Sequence, residues 1–218
     1  MNKNVLLALL LMLTSLVSKA QIGTAMYTIE SSTKNISPIT TMIDAIETCN
    51  ISYKDFQSTQ TVSIGKSNFL IKTATSDDPM AGFNVICIYK ENNKLIELKD
   101  YNMWTYMYDG LSYTDYKQYT NNRYYILLDL NFQTKALCFV GWPYGGDLPY
   151  LTIIILTEND AKLVFHKNMS INNIVKTNNE YSIKIQTTLE EYDSCGKLIT
   201  APTYGTIYSK DGILFIKK

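Results

Sequence analysis

Tyr181-Ser182-Ile183-Lys184-Ile185-Gln186-Thr187-Thr188-Leu189 is the stretch whose reading decides the fold class. Tyr181, Ile183, Ile185, Thr187 and Leu189 alternate with Ser182, Lys184, Gln186 and Thr188. Successive side chains of an extended chain point to opposite sides, so one set faces a core and the other faces water.

The same reading extends outward through a series of hairpins. Tyr204 to Ser209 and Ile213 to Lys217 flank Asp211-Gly212, and Val85 to Tyr89 and Lys94 to Leu98 flank Glu91-Asn92-Asn93. The asparagines there are expected to take the positive φ of a tight turn. Tyr124 to Leu130 and Lys135 to Val140 flank Asn131-Phe132-Gln133-Thr134, and Leu151 to Thr157 and Lys162 to His166 flank Glu158-Asn159-Asp160. Repeated hairpins mean antiparallel strands in a meander. Abundant Tyr, Ile, Thr, Val and Phe suit pleated, half-buried surfaces.

One short helix is expected near the start. Ser37 can cap it, Pro38 suits its first position, and Ile39, Met42, Ile43 and Ile46 fall on one face, with Asp44 and Glu47 turned away. Met169 to Lys176 is a weaker helical candidate. The expected fold is therefore mainly β. It is a single domain of about ten or more antiparallel strands in a meander, forming a curved sheet, an open barrel or a β-sandwich, with the helix packed on the sheet.

Residues 1–20 read as a cleavable signal peptide. Lys3 precedes the apolar run Val5 to Leu13, and Ser18-Lys19-Ala20 sets small residues where a signal peptidase needs them. The run is short for a span of about 20 apolar residues. Gln21 follows the cut, so no lipidation cysteine stands there. The remaining residues, 21–218, are expected to form one β-rich domain, exported to the periplasm or the extracellular space without a membrane anchor.

Basic and acidic side chains number 20 each, and loss of Lys3 and Lys19 leaves a slight negative excess. No basic block is present and Arg123 is the single arginine. A nucleic-acid partner, whose phosphates demand clustered cations, is not expected. Cys49, Cys87, Cys138 and Cys195 could pair in an oxidising compartment, in any of three connectivities. Cys87 and Cys138 sit in apparent strands, whereas Cys49 and Cys195 lie beside turn residues. No Cys-x-x-Cys pair suggests zinc.

Catalytic signatures are sparse. His166 is the only histidine and reads as a sheet residue. No Gly-x-Ser-x-Gly elbow and no glycine-rich phosphate loop occurs, so no catalytic residue, metal or cofactor is expected. Paired carboxylates need no local motif, and Glu190, Glu191 and Asp193, or Asp77-Asp78, are the clusters from which a glycoside hydrolase could draw them.

Aromatic residues are the remaining signal. Residues 101–125 hold eight of the 17 tyrosines together with Trp104. Within this stretch Trp104, Tyr106 and Tyr108 share a strand face. Trp142-Pro143-Tyr144-Gly145-Gly146-Asp147-Leu148-Pro149-Tyr150 is a second concentration, in a loop. Such rings stack on sugars, apolar ligands or protein partners. Trp104, Tyr106, Tyr108, Trp142, Tyr144, Asp147 and Tyr150 are thus the expected ligand-binding residues. The functional expectation is an exported, non-enzymatic binding or surface-interaction domain for a carbohydrate, an apolar ligand or a surface protein. Its alternatives are a carboxylate-pair hydrolase and an open-barrel carrier of a lipid or other apolar ligand.

Overall fold

A computed structural model describes residues 36–44, 52–75, 82–106, 124–141, 147–178 and 180–217. The strands belong to one compact unit, Asn35–Lys218. The expected signal peptide lies outside the described residues.

Two short strands come first, β1 (Ile36–Pro38) and β2 (Met42–Ile43). Three consecutive four-stranded meanders follow. The first is β3 (Ser58–Ile64), β4 (Ser67–Ala74), β5 (Gly82–Lys90) and β6 (Asn93–Thr105), which make sheet C in that order. The second is β7 (Ile126–Asn131), β8 (Thr134–Val140), β9 (Tyr150–Thr157) and β10 (Ala161–Asn168), which make sheet B. The third comprises β11 (Ser170–Thr177) and β12 (Glu180–Gln186), then an excursion through the hairpin β13 (Glu191–Tyr192) and β14 (Leu198–Thr200), and finally β15 (Tyr204–Lys210) and β16 (Ile213–Lys217). β11, β12, β15 and β16 make sheet A. Met169 alone separates β10 from β11, so the chain turns directly from sheet B into sheet A.

The hairpins are set by their turn residues. Asp211 (φ 53°) and Gly212 (φ 81°) close β15–β16 with the two successive positive φ angles of a type I′ turn. At β5–β6 the positive φ falls on Glu91 (φ 55°), not on the asparagines expected to carry it; Lys90 pairs with Asn93, so Glu91 and Asn92 form the loop.

The expected helix is not formed over 36–44; Ile46 lies outside the described residues. Ile36–Pro38 instead pairs antiparallel with β16, and Met42–Ile43 pairs parallel with β10. Ile39 N–H donates to the Leu214 carbonyl at 2.8 Å and its side chain is buried. About ten residues of helix are marginal alone, and two open sheet edges offer the same apolar side chains a better-satisfied backbone. Met169 to Lys176, the second helical candidate, is strand β11 for a related reason: Ile171 and Ile174 reach the core on a strand bulged between Ile171 and Asn173.

Sheet B is the middle of three stacked layers. Ile126, Leu128, Ala136, Cys138, Ile153 and Phe165 pack against Ile171, Ile183, Ile185, Ile207 and Ile216 of sheet A. Leu137, Phe139, Ile154 and Leu156 pack against Val62, Phe69, Ile71, Phe83, Ile88 and Trp104 of sheet C. The described part is therefore a layered stack of open sheets, not the single curved sheet or barrel among the expectations. A strand buried on both sides reads as a continuous apolar run, and β9 carries the run Leu151 to Leu156 with all six residues buried.

Candidate functional site

The only histidine sits between sheets B and C. His166 on β10 and Asp100 on β6 are both buried, with Nε2 to Oδ2 at 3.3 Å. Thr152 Oγ1 lies 2.8 Å from His166 Nδ1 and accepts the Trp104 Nε1–H at 2.9 Å. Tyr150 stacks on the imidazole, with centroids 4.6 Å apart and planes within 9°. An indole N–H can only donate, so the threonine oxygen accepts it, and the same hydroxyl bonds His166 Nδ1. The other ring nitrogen, Nε2, faces the Asp100 carboxylate.

Asp100, His166 and Thr152 resemble a nucleophilic triad in composition but not in circumstance. Thr152 has no exposed surface, and its oxygen is engaged by an indole N–H as well as the imidazole. The arrangement instead satisfies four buried polar groups at once and ties edge strand β6 to the middle sheet.

The outer face of sheet C has a different character. Lys72 pairs with Cys87, and Cys87 with Glu97, in one row across β4, β5 and β6; Ala74, Val85 and Lys99 form the next row. The segment Tyr53 to Phe56 lies over these rows. Phe56 contacts Tyr53 at 5.2 Å and Tyr89 at 6.4 Å between centroids, and all three rings are half-buried. Lys72 Nζ stands 5.0 Å from the Phe56 centroid and 4.9 Å from that of Tyr89, while Lys99 Nζ stands 5.3 Å from that of Tyr53. Such cation–π contacts contribute about 0.5–1 kcal/mol at exposed positions.

Beneath these rings lies a small polar cluster. Tyr53 O–H donates to Glu97 Oε1 at 3.0 Å, and Lys94 Nζ pairs with Glu97 Oε2 at 3.1 Å. Burial pushes Glu97 up, but the hydrogen bonds from Lys94 and Tyr53 outweigh it and hold its carboxyl below the ordinary value. Burial raises Tyr53, helped by its hydrogen bonds to Cys87 and Glu97, and burial likewise raises the Cys87 thiol. Cys87 is thus a protonated thiol under an aromatic cover.

Of the expected ligand-binding residues, Trp104 is a correction: it lies in the core, stacked on Phe83 at 6.0 Å, rather than in an exposed groove. Its shared face with Tyr106 is present, since Phe83 also meets Tyr106 at 5.8 Å. Tyr106 is half-buried and its O–H donates to Gln57 at 3.2 Å; Tyr150 is half-buried on His166, and Asp147 is exposed. Tyr108, Trp142 and Tyr144 lie outside the described residues. Sequence reasoning passed over Tyr53, Phe56, Tyr89, Lys72 and Lys99. The signal was the outward set Leu70, Lys72 and Ala74 on β4, but Tyr53 and Phe56 arrive from a segment with no strand pattern of its own.

Two of the candidate carboxylates serve the hairpin β13–β14, and Glu190 is exposed just before it. Asp193 Oδ1 accepts the N–H groups of Cys195 and Lys197 at 2.9 and 2.8 Å, and Glu191 accepts Thr200 Oγ1–H at 3.0 Å, all on an exposed hairpin. Asp77 and Asp78 lie outside the described residues. Cys87, Cys138 and Cys195 are free thiols, which corrects any pairing among those three; Cys49 lies outside the described residues. Among the described residues no three His, Cys, Asp or Glu side chains group as a metal site requires. No family model, no curated protein and no solved structure matches this chain.

Proposed function

We propose that this chain is an exported, non-enzymatic binding domain whose ligand surface is the outer face of sheet C. The observation that carries the reading is the row Tyr53, Phe56 and Tyr89, half-buried rings packed together over sheet C with lysine ammoniums against them. Side chains already held by packing bind with little loss of conformational entropy. The catalytic alternative draws no support from Asp193, which holds a turn, or from Glu191, which bonds its cross-strand partner Thr200. A carrier would need an interior to fill, and the two interlayer spaces are occupied by fully buried Ile, Leu and Phe side chains.

The test is an array of carbohydrates and of surface proteins probed with the purified protein and with Phe56→Ala and Tyr89→Ala. Retained melting temperature with lost binding supports the reading. Binding that is indifferent to both substitutions removes this face as the site. Export is checked by sequencing the amino terminus of the mature protein, which is expected to begin at Gln21; an uncleaved chain in the cytoplasm overturns that part.

A further inference from the structure

Beside the aromatic row lies a second, polar one. Thr59, Thr61 and Ser63 on β3 are exposed and pair directly with Lys72, Leu70 and Asn68 on β4, so they share the outer face with Lys72. Ser63 O–H donates to Asn68 Oδ1 at 2.7 Å, which leaves Thr59 and Thr61 nearest the lysine.

The charges on this face are unevenly matched. Glu97 is taken up by direct contacts with Lys94 and Tyr53, and Lys99 acts on it only through its field. Asp55 lies exposed in the overlying segment next to exposed Lys54. Lys72 and Lys99 are held against rings, and among the described residues neither makes an ion pair with a carboxylate. An aromatic wall attracts an ammonium through its face without consuming the N–H donors, which stay directed at whatever lies beyond. Lys72 and Lys99 sit two strands and two residues apart, roughly 12 Å between backbones from the spacing and rise of a sheet.

We propose that this face binds an acidic carbohydrate polymer. Its negative groups meet Lys72 and Lys99, its hydroxyls meet Thr59 and Thr61, and its apolar sugar faces rest on the accessible parts of the half-buried rings of Phe56 and Tyr89. The proposal rests on the reading of this face as the ligand surface and adds the charge class of the ligand. Two separated ammoniums, Lys72 with a hydroxyl row beside it and Lys99 two strands away, match sparse charges on a hydroxyl-rich chain. A nucleic acid, with a phosphate at every unit, would call for a denser track of cations than this face carries.

The experiment is calorimetric titration of the purified protein with uronate and sulfated oligosaccharides, tetragalacturonate among them. Fully methyl-esterified tetragalacturonate and an oligothymidylate of matching length serve as controls. Lys72→Gln, Lys99→Gln and Tyr89→Ala are titrated alongside, each first shown to keep the wild-type circular dichroism and melting temperature.

Binding of an acidic oligosaccharide, weakened about tenfold by either lysine substitution and weakened by esterification and by salt, is the expected result. Equal binding of acidic and esterified forms, both lost in Tyr89→Ala, overturns the charge assignment and leaves the binding face standing. Tighter binding of oligothymidylate overturns the carbohydrate assignment. Failure of every acidic oligosaccharide overturns the proposal; if the array also shows no ligand sensitive to Phe56→Ala or Tyr89→Ala, the binding face falls with it.

Discussion

Thr152 is the residue on which the buried polar chain turns. It has one oxygen, and that oxygen serves the Trp104 indole and the His166 imidazole together. Thr152→Val keeps the shape but orphans both groups, and each buried unsatisfied group costs about 1–3 kcal/mol. The variant is expected to lose about 2–4 kcal/mol in urea unfolding, against a far smaller loss for Thr152→Ser; equal stability of Val and wild type would refute the chain as drawn. The thiols make a second case. Cys195 is exposed at a turn, whereas burial raises Cys87 and pushes Cys138 up to about 12. Since only thiolate reacts, peptide mapping after brief alkylation near neutral pH should find Cys195 modified, and Cys87 and Cys138 modified only in denaturant. Glu97 adds a pH term: its depressed carboxyl contributes stability above the unfolded value of about 4.3 and loses it as pH falls through the lower folded value. The side chain is partly exposed, so solvent keeps the effect small.

At the scale of elements, the end of β8 shows how close backbones impose a residue. Gly141 N–H donates to the Tyr150 carbonyl at 2.6 Å, and a Cβ at Gly141 would stand 2.8 Å from Tyr150 N and 2.9 Å from its carbonyl oxygen. Backbone cannot swing aside as a side chain can. Gly141→Ala is expected to cost about 1–3 kcal/mol as an overpacked site and to loosen the Tyr150 stack on His166. Urea unfolding and amide exchange at Tyr150 read both effects. At Gly212 an added Cβ meets first the side chain of Asn131, which can turn away, so positive φ is the main penalty there.

The described fold turns on a middle sheet whose central strands, β8 and β9, are covered on both sides. Adjacent residues of a sheet facing solvent differ sharply in what they stabilise, as buried Ile183 and exposed Lys184 do on β12. Ile153 and Ile154 on β9 are adjacent and both fully buried, one toward sheet A and the other toward sheet C. Ile153→Ala and Ile154→Ala are each expected to cost about 2–5 kcal/mol, whereas Lys184→Ala should change stability by less than about 1 kcal/mol. A small loss at either isoleucine would mean that one of the two interlayer cores is not packed as described.

By itself the sequence determined four of the hairpins and strand β12, because alternation and turn residues act over neighbours: Tyr181 to Gln186, short of the expected Leu189, and Asp211-Gly212 are formed where their residues place them. Tertiary structure decided what neighbours cannot encode. Ser37-Pro38 carries a helix-start pattern, yet the open edge of β16 takes Ile36–Pro38 as a strand. The apolar run Leu151 to Leu156 is equally at home in one buried strand or another, and only the stacking of three sheets makes it the centre. Trp104 could face a ligand or a core on its local pattern, and Thr152, 48 residues away, supplied the partner that settled it. The lysine and aromatic row on sheet C was hidden for the same reason: Tyr53 and Phe56 meet Lys72, Tyr89 and Lys99 only after the chain has folded back over four strands, and local pattern carries no distance between them.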